Sequence, residues 1–297
     1  MATAFCPAHI TGFFKAELNK ENSKELGSLG AGFSIQKGVK TTVTIRNKTK
    51  HDISNFTIKV NGFESGDMRV SEVVLSKFPT KEKFVDVIHE IDVPVGYGFG
   101  SSAAVALSLA IALNDALECK LSKIKVAQIA HDVEIECKTG LGDVLASYHG
   151  GFEIRDKPGA PGIGHVQKIS LNKISIIMIC FSPISTSKFI KERLPQINGL
   201  GGKMVNKLLE SKNYEHFQEM SLEFAKYVDV MTPRMQKVVN ELSKNNIKCG
   251  IALFGETIFS MIPKENENKV LEILEKYSDG IIIKSELDDV GARVLYN

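Results

Sequence analysis

A chain of 297 residues with 43% apolar and 24% charged side chains can build a sizeable core and two domains. Its net charge is only +2, with acidic and basic residues interspersed, so nothing polybasic points to nucleic acid or to a membrane surface. Five scattered cysteines without a CxxC pair argue against a disulfide framework or a zinc site and fit a reducing cytoplasm, and the N-terminus lacks the basic and apolar regions of a signal peptide.

From the N-terminus, Pro7 and Gly12 divide Ala2 to Phe14 into a strand, a turn and a short apolar piece. Gly27 to Ser34 (GSLGAGFS) reads as a glycine-rich loop ahead of an alternating strand, Thr41 to Ile45. His51 to Val60 is a further strand, closed by the turn signal Asn61-Gly62. Phe84 to Val93 is apolar and β-prone and runs into Pro94-Val95-Gly96-Tyr97-Gly98-Phe99-Gly100-Ser101-Ser102-Ala103-Ala104. The apolar run from Ala103 to Leu113 falls short of the about 20 residues that span a bilayer, and predicts a buried helix. Ser122 opens a helix to about Glu136, on which His131 and Glu134 share a face. Thr139-Gly140-Leu141-Gly142-Asp143 follows, with Asp143 placed as an N-cap would be, and then a segment ending in Gly150-Gly151. Phe152 to Arg155 is a strand leaving that segment, and the Pro- and Gly-rich Lys157 to Gly162 is a linker. We place a domain boundary there, giving residues 1–160 and 161–297. Beyond it come a strand (Lys173–Phe181), helices (Gly202–Glu210, Tyr214–Val230, Pro233–Lys244), two strands across Gly255-Glu256, a helix (Glu265–Lys276) and a short last strand, an α+β arrangement.

The loop at Pro94 carries the chemistry. Glycines bring backbone close to a ligand, Ser101 or Ser102 can cap the helix behind them, and a helix N-terminus offers unpaired N–H groups to an anion. It lacks the Lys of GxxxxGK[ST]. Gly98, Gly100 and Ala103 fit GxGxx[GA], but Glu118, at the acidic offset, falls between helices instead of ending a second strand. What remains, PxGxGxGSSAA, resembles the nucleotide loop of the GHMP kinases, with Phe99 where that family usually has Leu. Glu134, Asp143 and Gly150-Gly151 match, in order and approximate spacing, the family's metal-binding Glu, catalytic Asp and glycine pair. Pro7-Ala8-His9-Ile10-Thr11 lacks the usual charged residues of the first motif, and Gly250 to Thr257 is a glycine-poor third motif. Both, with the Gly27–Ser34 loop, resemble a narrower branch, the archaeal pantoate kinases.

The resemblance implies a two-domain α+β GHMP-kinase fold: an N-terminal α/β domain of the ribosomal-protein-S5-domain-2-like type and a C-terminal ferredoxin-like domain. It implies transfer of the ATP γ-phosphoryl group to the hydroxyl of (R)-pantoate, giving (R)-4-phosphopantoate on the archaeal route to coenzyme A. Pro94, Gly96, Gly98, Gly100, Ser101, Ser102 and Ala103 would hold ATP, and Ser102 and Glu134 would hold Mg²⁺, with Ser101 the alternative serine. Asp143 would take the hydroxyl proton, with Glu134 and Ser102 completing the catalytic set. Arg155 would clamp the acceptor's carboxylate, Ser28 and His131 its other oxygens, with His9 and Thr11 as weaker candidates. The alternatives are a GHMP kinase for homoserine or a mevalonate derivative, a decarboxylase of the same fold, and a non-catalytic nucleotide-binding protein. Family members are often dimers, and the partner expected here is a small molecule.

Overall fold

A computed structural model describes residues 1–63, 66–184 and 186–296, with the side chains of residues 186 and 187 left aside. The first sheet is built on two long antiparallel strands, β1 (Ala2–Glu17) and β2 (Gly27–Asn47). The lower half of β2 pairs with β4 (Lys83–Ile91), which pairs in parallel with β3 (Phe56–Gly62). Its upper half pairs instead with β5 (Phe152–Lys157), and β5 pairs with β6 (His165–Ile169). The outer edge of β1 is covered by β11 (Arg293–Leu295). The change of sheet therefore falls after β6, and the last strand returns to the first sheet.

Three expectations for this region are corrected. The strand expected over His51–Val60 begins only at Phe56 and continues through Asn61-Gly62, which pair with β4 instead of turning. Ala2–Phe14 is one strand, in which Pro7 and Gly12 sit at register shifts instead of breaking it. Gly27–Ser34 is not a loop but the upper part of β2. Its glycines serve close approach: a Cβ at Gly30 would lie 2.6 Å from Arg155 Nη2, and one at Gly32 would strike His9 Nε2 and the Ile10 carbonyl.

Helix α1 (Arg69–Ser76) crosses from β3 to β4. Helix α2 (Ser101–Ala116) is apolar on every side, and is accordingly buried against β1 and β2. Helix α3 (Lys123–Cys137) packs beside it, with Ser122 accepting from the Lys125 N–H as N-cap. The short α4 (Asp143–His149) joins α3 to β5.

The second sheet, in the order β10-β7-β9-β8, is antiparallel: β7 (Ile174–Pro183), β8 (Gly250–Ala252), β9 (Gly255–Pro263) and β10 (Ile281–Glu286). Helices α6 (Tyr214–Tyr227), α7 (Pro233–Lys244) and α8 (Glu267–Leu274) pack on this sheet, whereas α5 (Thr186–Ser211) lies against β1, β2 and β5 of the first. Rings of Phe13, Phe33, Phe152, Phe217 and Phe259 meet between the sheets, with Phe217 stacked on Phe259 at 5.7 Å. Gly12 is required there, since a Cβ would lie 2.6 Å from the Phe217 ring. The join fixes the glycine loop of the first unit against β9 of the second. Among the described residues, no helix is long and apolar enough to cross a membrane.

Candidate active site

The loop before α2 holds its shape through three glycines with positive φ, Gly96 (85°), Gly98 (86°) and Gly100 (56°). Three carbonyls between them are fixed from outside. Gly96 O accepts from the Ile184 N–H (3.0 Å), Tyr97 O from Thr257 Oγ1 (2.9 Å) and Phe99 O from the His9 N–H (3.0 Å). The carbonyls thus point into protein, which leaves the N–H side for a ligand. Gly100 is the N-cap of α2 in a left-handed conformation with no capping side chain, so neither Ser101 nor Ser102 caps; both lie in the first turn. The loop borders a cleft of about 420 Å³ that also exposes Thr11, Thr139 and Asp143. A more apolar recess of about 190 Å³, lined by Val60, Val70, Ser71, His89 and Ile91, adjoins it at Ser101, Ser102 and Thr139.

Of the two serines, Ser102 meets Glu134, its Oγ donating to Oε2 at 3.2 Å. Glu134 is 2% exposed and also accepts from Thr139 Oγ1 at 2.5 Å. Burial, resisted by the Thr139 hydrogen bond and reinforced by the charge of Asp143, pushes the Glu134 carboxyl up to about 7. Gly140 lies between the two carboxylates: a Cβ there would collide with Glu134 Oε2 and approach Asp143 Oδ2 to 3.1 Å. Its lack of a side chain is what lets them flank one space.

Asp143 is the first residue of α4, with Gly142 as the N-cap, so its carboxylate is free for another partner. That partner is His9 on β1. His9 Nδ1 lies 2.9 Å from Asp143 Oδ1, and Nε2 lies 2.9 Å from Glu153 Oε1. Arg155 Nη1 donates to the same Glu153 oxygen at 2.5 Å. His9, Glu153 and Arg155 are essentially without solvent contact. Burial lowers the affinity of His9 for a proton, but hydrogen bonds to two carboxylates outweigh it and its pKa is raised. Burial acts to raise Asp143, and His9 with Arg155 reverses the sign, so Asp143 stays ionised. The row Asp143–His9–Glu153–Arg155 alternates in charge from the cleft into the core. Glu153 escaped the sequence reading, although a Glu and an Arg two apart on a strand necessarily share a face.

The remaining predicted residues divide. Thr11, Ser28 and Asp143 line one small recess with Gly140, Gly142 and Phe254. Arg155 is not among the residues that line it: a Cβ on Gly142 would clash with both Ser28 Oγ and Arg155 Nε, and Nε is buried without a hydrogen-bond partner. His131 is not brought to Asp143. It is buried under the turn at Ser23–Glu25, where Nε2–H donates to the Ser23 carbonyl at 3.2 Å, and burial lowers its pKa. Among the described residues, no three His, Cys, Asp or Glu side chains are grouped to hold a metal by themselves.

The chain is similar to known proteins over most of its length. Residues 68–151 match the model of the GHMP kinases N terminal domain. A pantoate kinase of Methanocaldococcus jannaschii is 33% identical over 276 residues, 91% of this chain and 96% of that protein. A pantoate kinase of Thermococcus kodakarensis is 30% identical over 275 residues, 91% of each. The chain belongs to the GHMP kinases, in the family of these archaeal pantoate kinases. A solved structure described as a phosphotransferase related to the CoA biosynthesis pathway superposes with a TM-score of 0.88 at 28% identity, covering 98% of this chain and 97% of that one. A homoserine kinase from Cytophaga hutchinsonii shares the fold at a TM-score of 0.70 and 19% identity, covering 99% and 97%. The α+β GHMP-kinase fold expected from the glycine loop therefore extends over the whole chain, and the GHMP kinase loop is the one that borders the cleft.

Proposed function

We propose that this protein transfers the γ-phosphoryl group of ATP to the hydroxyl of (R)-pantoate, giving (R)-4-phosphopantoate. The observation that carries the reading is Asp143, an ionised carboxylate held by a buried His9 where the glycine loop meets the Ser28 recess. Likeness over nine-tenths of the chain to two pantoate kinases supports the choice of acceptor.

In this reading the N–H groups of Gly96 to Ala103 bind the triphosphate at the start of α2, and the adjoining apolar recess takes the base. Ser102 Oγ and Glu134 are hard oxygen donors set side by side, a donor set that suits Mg²⁺ shared with phosphate oxygens and water. When bound, that ion would neutralise charge on the phosphates. Asp143 orients the acceptor hydroxyl and receives its proton as the new O–P bond forms. Thr11 and Ser28 line the acceptor side, and Arg155, buried behind Gly142 with its Nε unpartnered, is our candidate to meet the acceptor's carboxylate. His9 acts through Asp143 and not on the substrate. The division expected at residues 160 and 161 is corrected: β6 (His165–Ile169) pairs with β5 and β11 with β1, so we propose a boundary between β6 and β7, with the last strand belonging to the first domain.

Incubation with ATP, Mg²⁺ and (R)-pantoate should yield a phosphomonoester of pantoate by phosphorus NMR; consumption of ATP without one would overturn the assignment. His9→Gln keeps a hydrogen-bonding group beside Asp143 but removes the positive charge. Burial then raises the Asp143 pKa, so the acid limb of kcat should move to higher pH. An unmoved limb would mean that His9 does not hold Asp143 ionised. Arg155→Ala should raise KM for pantoate by about tenfold or more and KM for ATP little. Equal changes in the two would remove Arg155 from the acceptor side.

A further inference from the structure

The recess beside the glycine loop contains a chain of hydrogen bonds whose direction can be worked out proton by proton. Ser108 Oγ lies 2.7 Å from the Ala104 carbonyl, which can only accept, so the single Ser108 proton is committed there. Thr41 Oγ1 lies 2.7 Å from Ser108 Oγ; with the Ser108 proton spent, Thr41 is the donor. Thr41 Oγ1 also lies 2.8 Å from His89 Nδ1, so Nδ1 must carry the hydrogen and donate to Thr41. Burial pushes His89 down to about 4, so at neutral pH the ring has one N–H and Nε2 is a bare lone pair. Ser71 Oγ, 3.0 Å from Nε2, gives its proton to it. Thr41 and Ser108 are wholly buried, and Ser71 and His89 form part of the recess wall.

The chain ends on Ser71, its hydrogen spent on His89, in the wall of a recess that Asp67 and Met68 also line. We propose that Ser71, set as an acceptor by His89, Thr41 and Ser108, selects a nucleotide base with an exocyclic amino group, the 6-amino group of adenine. A 6-oxo purine would bring a second acceptor against it and leave both oxygens unsatisfied in a buried place. Ser71 and His89 are then specificity-determining and positioning residues for the phosphoryl donor. The inference rests on the nucleotide-site reading above.

The test is the direct binding of ATP, inosine triphosphate and purine riboside triphosphate, measured without acceptor. The unmodified protein should bind ATP about tenfold more tightly than purine riboside triphosphate, which lacks the 6-substituent, and the 6-oxo inosine triphosphate more weakly still. Ser71→Ala should bring ATP and inosine triphosphate within about twofold of each other. Thr41→Val, a nearly isosteric change behind the recess, removes the acceptor that fixes the Nδ1–H tautomer. Nε2–H can then donate to Ser71, which frees the serine proton for the base, so the preference should narrow without any change to the recess wall. Thr41→Val also keeps the test decisive if Ser71→Ala does not fold. Equal affinities for ATP and inosine triphosphate in the unmodified protein would overturn the inference and leave the nucleotide site standing, as would variants that weaken both equally. Absence of binding by all three would overturn the nucleotide site itself.

Discussion

Asp143→Asn should lower kcat by about 10²–10⁴-fold while leaving the affinity for ATP almost unchanged. The asymmetry follows from where Asp143 stands. It reaches the cleft from the start of α4, faces the Ser28 recess, and makes its side-chain bond to His9 instead of to the glycine loop. Asparagine is nearly isosteric and can still meet His9, so the α4 turn should survive. What it cannot do is accept a proton from the attacking hydroxyl. Nucleotide affinity, by contrast, depends on the loop N–H groups and α2, which Asp143 does not hold. Single-turnover kinetics with calorimetric titration of ATP would separate the two quantities. Retained kcat would show that phosphoryl transfer here needs no carboxylate at 143.

Glu153→Ala should have the largest effect on stability. The Glu153 side chain is fully buried, and one of its oxygens is shared by His9 Nε2 and Arg155 Nη1. Truncation leaves an imidazolium and a guanidinium facing each other without a counter-charge in the core. Breaking a buried pair from one side costs about 3–5 kcal/mol. For a chain of this size that corresponds to a melting temperature lower by roughly 5–8 °C. Glu153→Gln keeps an acceptor and should cost clearly less. Thermal and urea denaturation of both variants check the order, and equal, small losses would mean that the buried row contributes little to the fold. Both losses should be accompanied by reduced kcat, because His9 reaches Asp143 only while Glu153 holds its far side.

How much was visible beforehand depended on how local each feature is. The loop and the helix behind it were legible because glycine spacing, the serines and the apolar run lie in one stretch, Pro94 to Leu113. Ser122 marked the start of α3 for the same reason, and Tyr214–Tyr227 and Pro233–Lys244 carried helical periodicity of their own. The glycines of β2 misled, since glycine-rich sequence ordinarily marks a loop, whereas Gly30 and Gly32 make room for Arg155 and His9 from other strands. Helix α1 was missed because its apolar positions span only two turns. His9 reads in sequence only as a weak candidate for a substrate contact, because its partners lie 134 and 144 residues away and meet it only after β1, α4 and β5 assemble. His131 shared a helix face with Glu134, but the turn at Ser23 covers it. The acceptor state of Ser71 is still less local, since it depends on four side chains from α1, β4, β2 and α2.

ADP release from ATP and Mg²⁺ with (R)-pantoate, pantothenate, homoserine and mevalonate as separate acceptors tests the central claim most directly. The account predicts turnover with pantoate well above that with the other three. Turnover confined to another acceptor would contradict the proposed substrate while keeping the loop and Asp143 in place, and ATP binding without turnover on any of them would contradict the kinase assignment.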